Sequence, residues 1–255
     1  MGAGLQRGDG SFAGDGAGEV DTRFSYCALA ACALLRRLPA LDVPRAAAFV
    51  RSCANFDGGF GATPGGESHA GQIFTALGAP LSRQRATQVS SDAPSLRFCS
   101  GALAIAGELP TGAAADRLGA WLAARQLACG GLCGRPEKAP DVCYSWWVLS
   151  SLAMLRRTRW LCRSALRAFI LRCQDGCKGG ISDRPDDEAD VFHTFFGVAG
   201  LALMGHPGLE EMDPVFALPR RLTRSLGLHH ADGCDSGRAA FGDSDSDDDA
   251  AAAGA

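Results

Sequence analysis

The stretch GGLCGRPEKAPDVCYSWWVLSSLAML, residues 130–155, decides the fold. A glycine pair leads into a polar loop, an aspartate follows, and the chain then runs on too apolar to own a solvent face. A helix apolar on every side is a buried one, and an aspartate at its start suits both N-capping and the helix dipole. The same grammar recurs: GDGSF, FDGGF, CGGL and KGGI end at Phe12, Phe60, Leu132 and Ile181, at intervals of 48, 72 and 49 residues. Self-similarity at such a period marks stacked helical hairpins, each burying a neighbour's apolar face. The apolar runs that begin at Asp21 (DTRFSYCALAACALL), Asp141 and Asp190 (DVFHTFFGVAGLALM) are read as inner helices. VPRAAAFVRSC, from Val43 to Cys53, and SALRAFILRC, from Ser164 to Cys173, set arginines against apolar faces and are read as outer helices. Pro44 sits where a first helical turn accepts proline. The expectation is all-α, with no alternating strands to contest it.

Two segments fall outside the pattern. The 72-residue interval carries 24 surplus residues, assigned to 75–98 (TALGAPLSRQRATQVSSDAPSLRF), an irregular insert rich in Ser, Arg, Pro and Gln. Residues 231–255, ending DSDSDDDAAAAGA, are an acidic low-complexity tail that cannot build a core. The helical domain is accordingly expected over residues 1–230.

Composition bounds the function. The chain has 255 residues, 47% hydrophobic and 21% charged, enough for one sizeable core. A net charge of −3 with scattered arginines gives no basic footprint, which argues against nucleic acid as a partner. No apolar run approaches the roughly 18 to 20 residues of a transmembrane segment, and MGAGLQRGDG has no hydrophobic leader core, so a cytoplasmic location is expected. Eleven cysteines in so long a chain read as reduced thiols, with Cys27, Cys32 and Cys53 acting as small apolar residues.

Counting from each punctuation aligns the hairpins. Nine residues on stand Asp21, His69, Asp141 and Asp190; twelve on stand Phe24, Gln72, Tyr144 and His193. Stacking gathers equivalent positions at one end, so Asp141 and Cys143 approach His193 of the next hairpin. Carboxylate, thiolate and imidazole are ligands that catalytic zinc takes while keeping a fourth position open. By spacing alone the set is a weak signal, since a single buried His or Cys is more often structural. Arg135 and Lys138, in the loop GRPEK, join His69 and Tyr144 as a donor cluster suited to a diphosphate; a solvated loop held by surface ion pairs is the competing reading. Tyr26, Trp146 and Trp147 suit a core or an apolar groove equally.

GGLCGRPEKAPDVCYSWWVLSSL, DTRFSYCALA, NFDGGFG followed by ESHAGQIF, and DVFHTFFGVAGLALMG resemble consecutive segments of protein prenyltransferase β subunits. GRPEK…PDVCYSWW and DRP…FHT are most similar to the Rab geranylgeranyltransferase type. The resemblance implies an α/α toroid of six hairpins, four of them present here. It implies one Zn2+ held by Asp141, Cys143 and His193, and a diphosphate held by His69, Arg135, Lys138 and Tyr144. It also implies Arg23 in the active-site cavity, with Tyr26 and Trp147 along the isoprenoid. The implied partners are a prenyltransferase α subunit, geranylgeranyl diphosphate, and a Rab escort protein presenting a Rab GTPase; Mg2+ stays open as a second cofactor. Competing readings are a farnesyl or type I geranylgeranyl transferase β subunit acting on CaaX proteins, a terpene cyclase, and an inactive helical scaffold. The cyclase reading has only the DxDD of Asp245 to Asp248 in the acidic tail to stand on.

Overall fold

The computed structural model describes residues 2–77 and 109–228. Its main elements are α1 (Thr22–Leu34), α2 (Val43–Ser52), α3 (Ala70–Leu77), α4 (Gly112–Ala123), α5 (Tyr144–Leu155), α6 (Arg163–Arg172), α7 (Val191–Leu203) and α8 (Arg220–Ser225). A two-stranded antiparallel pair, β1 (Met212–Asp213) and β2 (Leu218–Pro219), precedes α8. The odd helices form an inner layer in which α1 packs on α3, α3 on α5 and α5 on α7. The even helices follow each inner one, giving four hairpins among the described residues.

Why the punctuation needs glycine is visible two residues before each of its ends. Gly10, Gly58, Gly130 and Gly179 have φ of +93°, +91°, +87° and +78°, where a β-carbon is strained. At Gly10 and Gly130 an added Cβ would also lie 2.1 Å from the Arg45 carbonyl oxygen and 2.2 Å from that of Ala165, in the outer helix of the same hairpin. Isolated antiparallel bridges Gln6–Phe12, Ala54–Phe60, Gln126–Leu132 and Gln174–Ile181 close each loop. The ending residue is buried in every case. The first and third loops also clamp their outer helices alike: the Gln6 amide bonds both backbone groups of Asp42, and the Gln126 amide those of Cys162.

The structure corrects four expectations. Residues 75–77, taken as the start of the insert, continue α3: Thr75, Ala76 and Leu77 are all buried, and the polar composition begins only after them. Residues 78–98 of the insert and the tail 231–255 lie outside the described residues. Asp21 and Asp190 cap α1 and α7, bonding the N–H groups of Arg23 and His193. Asp141 likewise accepts from the Cys143 N–H, but what it caps is an extra turn and not α5: Val142 and Cys143 form that turn, with the Val142 N–H held by the Asp183 carbonyl at 2.9 Å, and α5 starts at Tyr144. Cys53 is core as expected, whereas Cys27 is exposed and Cys32 half-buried, because among the described residues no helix packs over this face of α1. Finally, α7 is apolar all round yet not buried all round, with Val191, Phe192, Phe195 and Val198 exposed.

The segment after α7 returns to α1. The buried Asp213 carboxylate accepts from the N–H groups of Val215 and Phe216 and from the Thr223 hydroxyl. That turn presents the Val215 carbonyl to the Tyr26 hydroxyl, which donates to it at 2.7 Å. Among the described residues no helix is long and apolar enough to cross a membrane.

Candidate metal centre and anion cleft

The seam between α5 and α7 brings one ligand atom each of Asp141, Cys143 and His193 within 4.8 Å of one another. Local bonds aim two of them. The Cys143 N–H donates to Asp141 Oδ1 at 2.7 Å, fixing the carboxylate against the turn. His193 Nδ1 lies 2.6 Å from Asp190 Oδ2; a carboxylate there only accepts, so Nδ1 carries the proton and donates it. The lone pair is left on Nε2, which faces Asp141 Oδ1 at 3.4 Å. Burial first, and the Asp141 carboxylate second, push the Cys143 thiol well above its ordinary range. Without a cation the thiol keeps its proton beside the carboxylate; as thiolate, carboxylate and imidazole lone pair, the state in which the three could bind a metal, they need a cation among them. The donor set fits a divalent ion of zinc's preferences, and Asp190 is the orienting carboxylate that metal-binding histidines commonly carry.

Beside the seam lies a cleft of about 380 Å³ whose lining includes His69, Arg135, Lys138 and Tyr144, the four expected anion contacts. His69 opens α3 and Tyr144 opens α5, and the two rings meet edge to face with centroids 5.7 Å apart. The Gly71 N–H donates to His69 Nδ1 at 3.1 Å, so in the neutral ring the proton is on Nε2. That proton points at the Tyr144 oxygen, 3.2 Å away, which leaves the phenol free to donate into the cleft. Burial, reinforced by Arg135, lowers the pKa of His69 and keeps it neutral. Burial also raises Tyr144 to about 12, so it is a donor and not a phenolate. Gly134 is where this approach requires glycine: an added Cβ would lie 2.4 Å from the Tyr144 ring. Arg135 pairs with Glu67 across the hairpin boundary, and Lys138 is exposed.

Aromatic rings run from His193, one of the candidate ligands, to the far end of the inner layer. His193 meets Phe192, Phe192 meets Phe196, and the contact of Phe196 with Trp147 has centroids 4.4 Å apart. Trp147 meets Phe74, which meets Tyr26 at 5.2 Å. One side of every inner helix thus contributes to an apolar wall. Arg23 is not among the residues lining this cleft; it pairs with Asp21 at 2.8 Å and lies near enough to His69 to help lower its pKa. Sequence reading missed Asp183 and Arg184, which also line the cleft; the signal was available, since Arg184 repeats the position of Arg135 three residues past the punctuation.

Comparison with known proteins agrees with this architecture. Residues 2–218 match the prenyltransferase alpha-alpha toroid domain. The chain is 51% identical over 220 residues to the geranylgeranyl transferase type-2 subunit beta of Saccharomyces cerevisiae, covering 86% of this chain and 61% of that protein. It is 31% identical over 217 residues to the geranylgeranyl transferase type-1 subunit beta of Arabidopsis thaliana, covering 84% of this chain and 54% of that one. The chain therefore spans less than two thirds of the length of these relatives. A solved structure, Candida albicans protein geranylgeranyltransferase-I complexed with GGPP, superposes with a TM-score of 0.67 at 20% identity over 89% of this chain and 64% of that one. With its repeated hairpins, its inner and outer layers and a family match over most of its length, the chain belongs to the prenyltransferase α/α toroid family.

Proposed function

We propose that this chain is the catalytic β subunit of a Rab-type geranylgeranyltransferase, transferring a geranylgeranyl group from its diphosphate to a cysteine thiol. The observation that carries the reading is the adjacency of three surfaces: the Asp141, Cys143 and His193 set, the donor-lined cleft and the aromatic wall. Each suits one part of the reaction. Zinc held by the three ligands would supply the charge that keeps an acceptor thiol ionised near neutral pH, where a free thiol of pKa about 8.5 is mostly protonated. The aromatic wall would hold the hydrocarbon by apolar burial.

In the transfer, the acceptor sulfur forms a bond to C1 of the isoprenoid while the C1–O bond breaks, and its electron pair leaves with the diphosphate. Arg135 and Lys138 meet that charge, and Tyr144 donates its phenol proton as a hydrogen bond. His69 holds Tyr144 in position through Nε2. Donors fixed in advance of the developing charge are the principal electrostatic aid to such a step. Cys143 is a ligand and never the nucleophile.

The type-2 reading is favoured by the higher identity to the yeast type-2 subunit than to the type-1 subunit. With it come an α subunit as partner and a Rab escort protein presenting the Rab GTPase. The test is transfer of labelled geranylgeranyl by the chain and an α subunit, offered an escort-bound Rab and a CaaX protein in parallel. Labelling of the Rab is expected; labelling of the CaaX protein alone would assign the chain to the other class.

A further inference from the structure

Arg135 and Arg184 occupy equivalent places, three residues past Leu132 and Ile181, and both line the same cleft. The reading above gives a role only to the first. Counted without Arg184, the charged lining of the cleft is two carboxylates, Asp141 and Asp183, against two cations, Arg135 and Lys138. Arg135 moreover already faces Glu67. In the reading above Asp141 is taken up by the metal, so the carboxylate left in the lining to oppose an anion is Asp183, and Arg184 is the cation that offsets it.

Its backbone and side chain are held very differently. The Asp183 carbonyl anchors the Val142 N–H at 2.9 Å, and the Arg184 carbonyl accepts from the Ser182 hydroxyl, so the wall is tied to the turn that carries Asp141 and Cys143. The guanidinium instead rests on carboxylates of its own loop, with Nε 3.0 Å from Asp183 and one Nη 3.4 Å from Asp187. Arg184 and Asp187 are each about half exposed, and ion pairs of that kind hold weakly. A diphosphate offers a guanidinium fork two oxygens in one plane, a better partner than the loose Asp187.

We propose that Arg184 is a third cationic contact of the diphosphate, exchanging Asp187 for the ligand when the cleft fills. The inference rests on the diphosphate reading of the cleft. Titration calorimetry with inorganic pyrophosphate tests it on the purified protein and four variants: Arg184→Gln, Arg184→Lys, Asp187→Asn and Arg135→Gln. Arg184→Gln is expected to weaken binding about tenfold or more, the loss of one charged hydrogen-bonding partner, with Arg184→Lys falling in between. Asp187→Asn removes the competing carboxylate and is expected to tighten binding, a response that a merely structural Arg184 would not give. Arg184 and Asp187 are exposed and Arg135 is half-buried, and unchanged melting temperatures would show the fold intact. Binding by Arg184→Gln within twofold of wild type, while Arg135→Gln is weakened, overturns the role of Arg184 alone. No pyrophosphate binding by the wild-type protein overturns the diphosphate reading together with it.

Discussion

The rim between the first two hairpins and the rim between the last two are built on one plan and finished with different chemistry. In each, an aspartate nine residues past the punctuation faces the side chain twelve past the next one. Asp21 meets the Gln72 amide at 3.4 Å, and Asp141 meets His193 Nε2 at 3.4 Å. Eleven residues past the punctuation the plans diverge. The first rim has Arg23, whose guanidinium pairs with Asp21 at 2.8 Å, and the Thr22 hydroxyl bonds Gln72 at 2.6 Å. That rim carries its own cation and is satisfied by protein groups. The second has Cys143, and none of its three converging side chains brings a fixed positive charge. The difference teaches that the scaffold places a carboxylate at both of these seams, where the middle seam has His69 instead, and that two substitutions decide whether the protein or a bound ion neutralises it.

The largest effect should come from exchanging the two finishes. Cys143→Arg, which copies the first rim into the second, is expected to lower zinc from about one per chain to none, since zinc strongly prefers a filled tetrahedral set. The reverse pair, Arg23→Cys with Gln72→His, is expected to raise zinc toward two per chain. Metal analysis of the purified variants reads both. Zinc unchanged in Cys143→Arg, or no second ion in the double variant, would break the equivalence of the rims.

The comparison sharpens further down the helices. Fourteen residues past the punctuation, Trp146 is fully buried on α5 while its counterpart Phe195 on α7 is 47% exposed. Trp146→Ala is expected to cost about 3–5 kcal/mol in urea unfolding, and Phe195→Ala about 1 kcal/mol or less. Equal costs would mean that the open face of α7 is covered in solution. In the loops, Gly130→Ala meets both an unfavourable φ and the Ala165 carbonyl, whereas Gly179→Ala meets only the φ, with nothing within 4 Å. The second should lose about 1 kcal/mol, and the first clearly more, by the same measurement.

The smallest effect concerns pH. His69 has a folded pKa below its unfolded value because of burial and Arg135. Between those two values the unfolded chain takes up a proton that the folded chain refuses. The stability that neutral His69 contributes is therefore present above about pH 6.5 and is lost as the pH falls toward the folded value. His69→Gln should flatten that limb of the stability profile; an unaltered slope would contradict the assignment.

How much of this was legible in the sequence depends on which residues the geometry constrains. The repeat could be read because a left-handed backbone pressed onto an outer helix leaves glycine little competition, as at Gly10 and Gly130. The convergence of Asp141, Cys143 and His193 could be read because stacking preserves position along the chain. That α3 runs on through residues 75–77 could not, since Thr75, Ala76 and Leu77 are as compatible with a loop's composition as with the buried face they form. Nor could the start of α5, which is set by a bond from Val142 to a carbonyl one hairpin later. The α1 thiols misled for a similar reason: Cys27 sits in an Ala/Leu-rich run, and its exposure depends on a neighbour, not on its own helix.

The central claim is that a metal ion bound through Cys143, at the seam of α5 and α7, completes the site. Cobalt(II) in place of zinc tests it most directly, because a thiolate-to-cobalt charge-transfer band reports the sulfur ligand itself. The account predicts that band in the wild-type protein, its loss in Cys143→Ser, and its persistence in Cys133→Ser and Cys173→Ser, whose thiols are also buried but belong to no such cluster among the described residues. A band that survives Cys143→Ser, or a wild-type protein that binds cobalt without one, would contradict it.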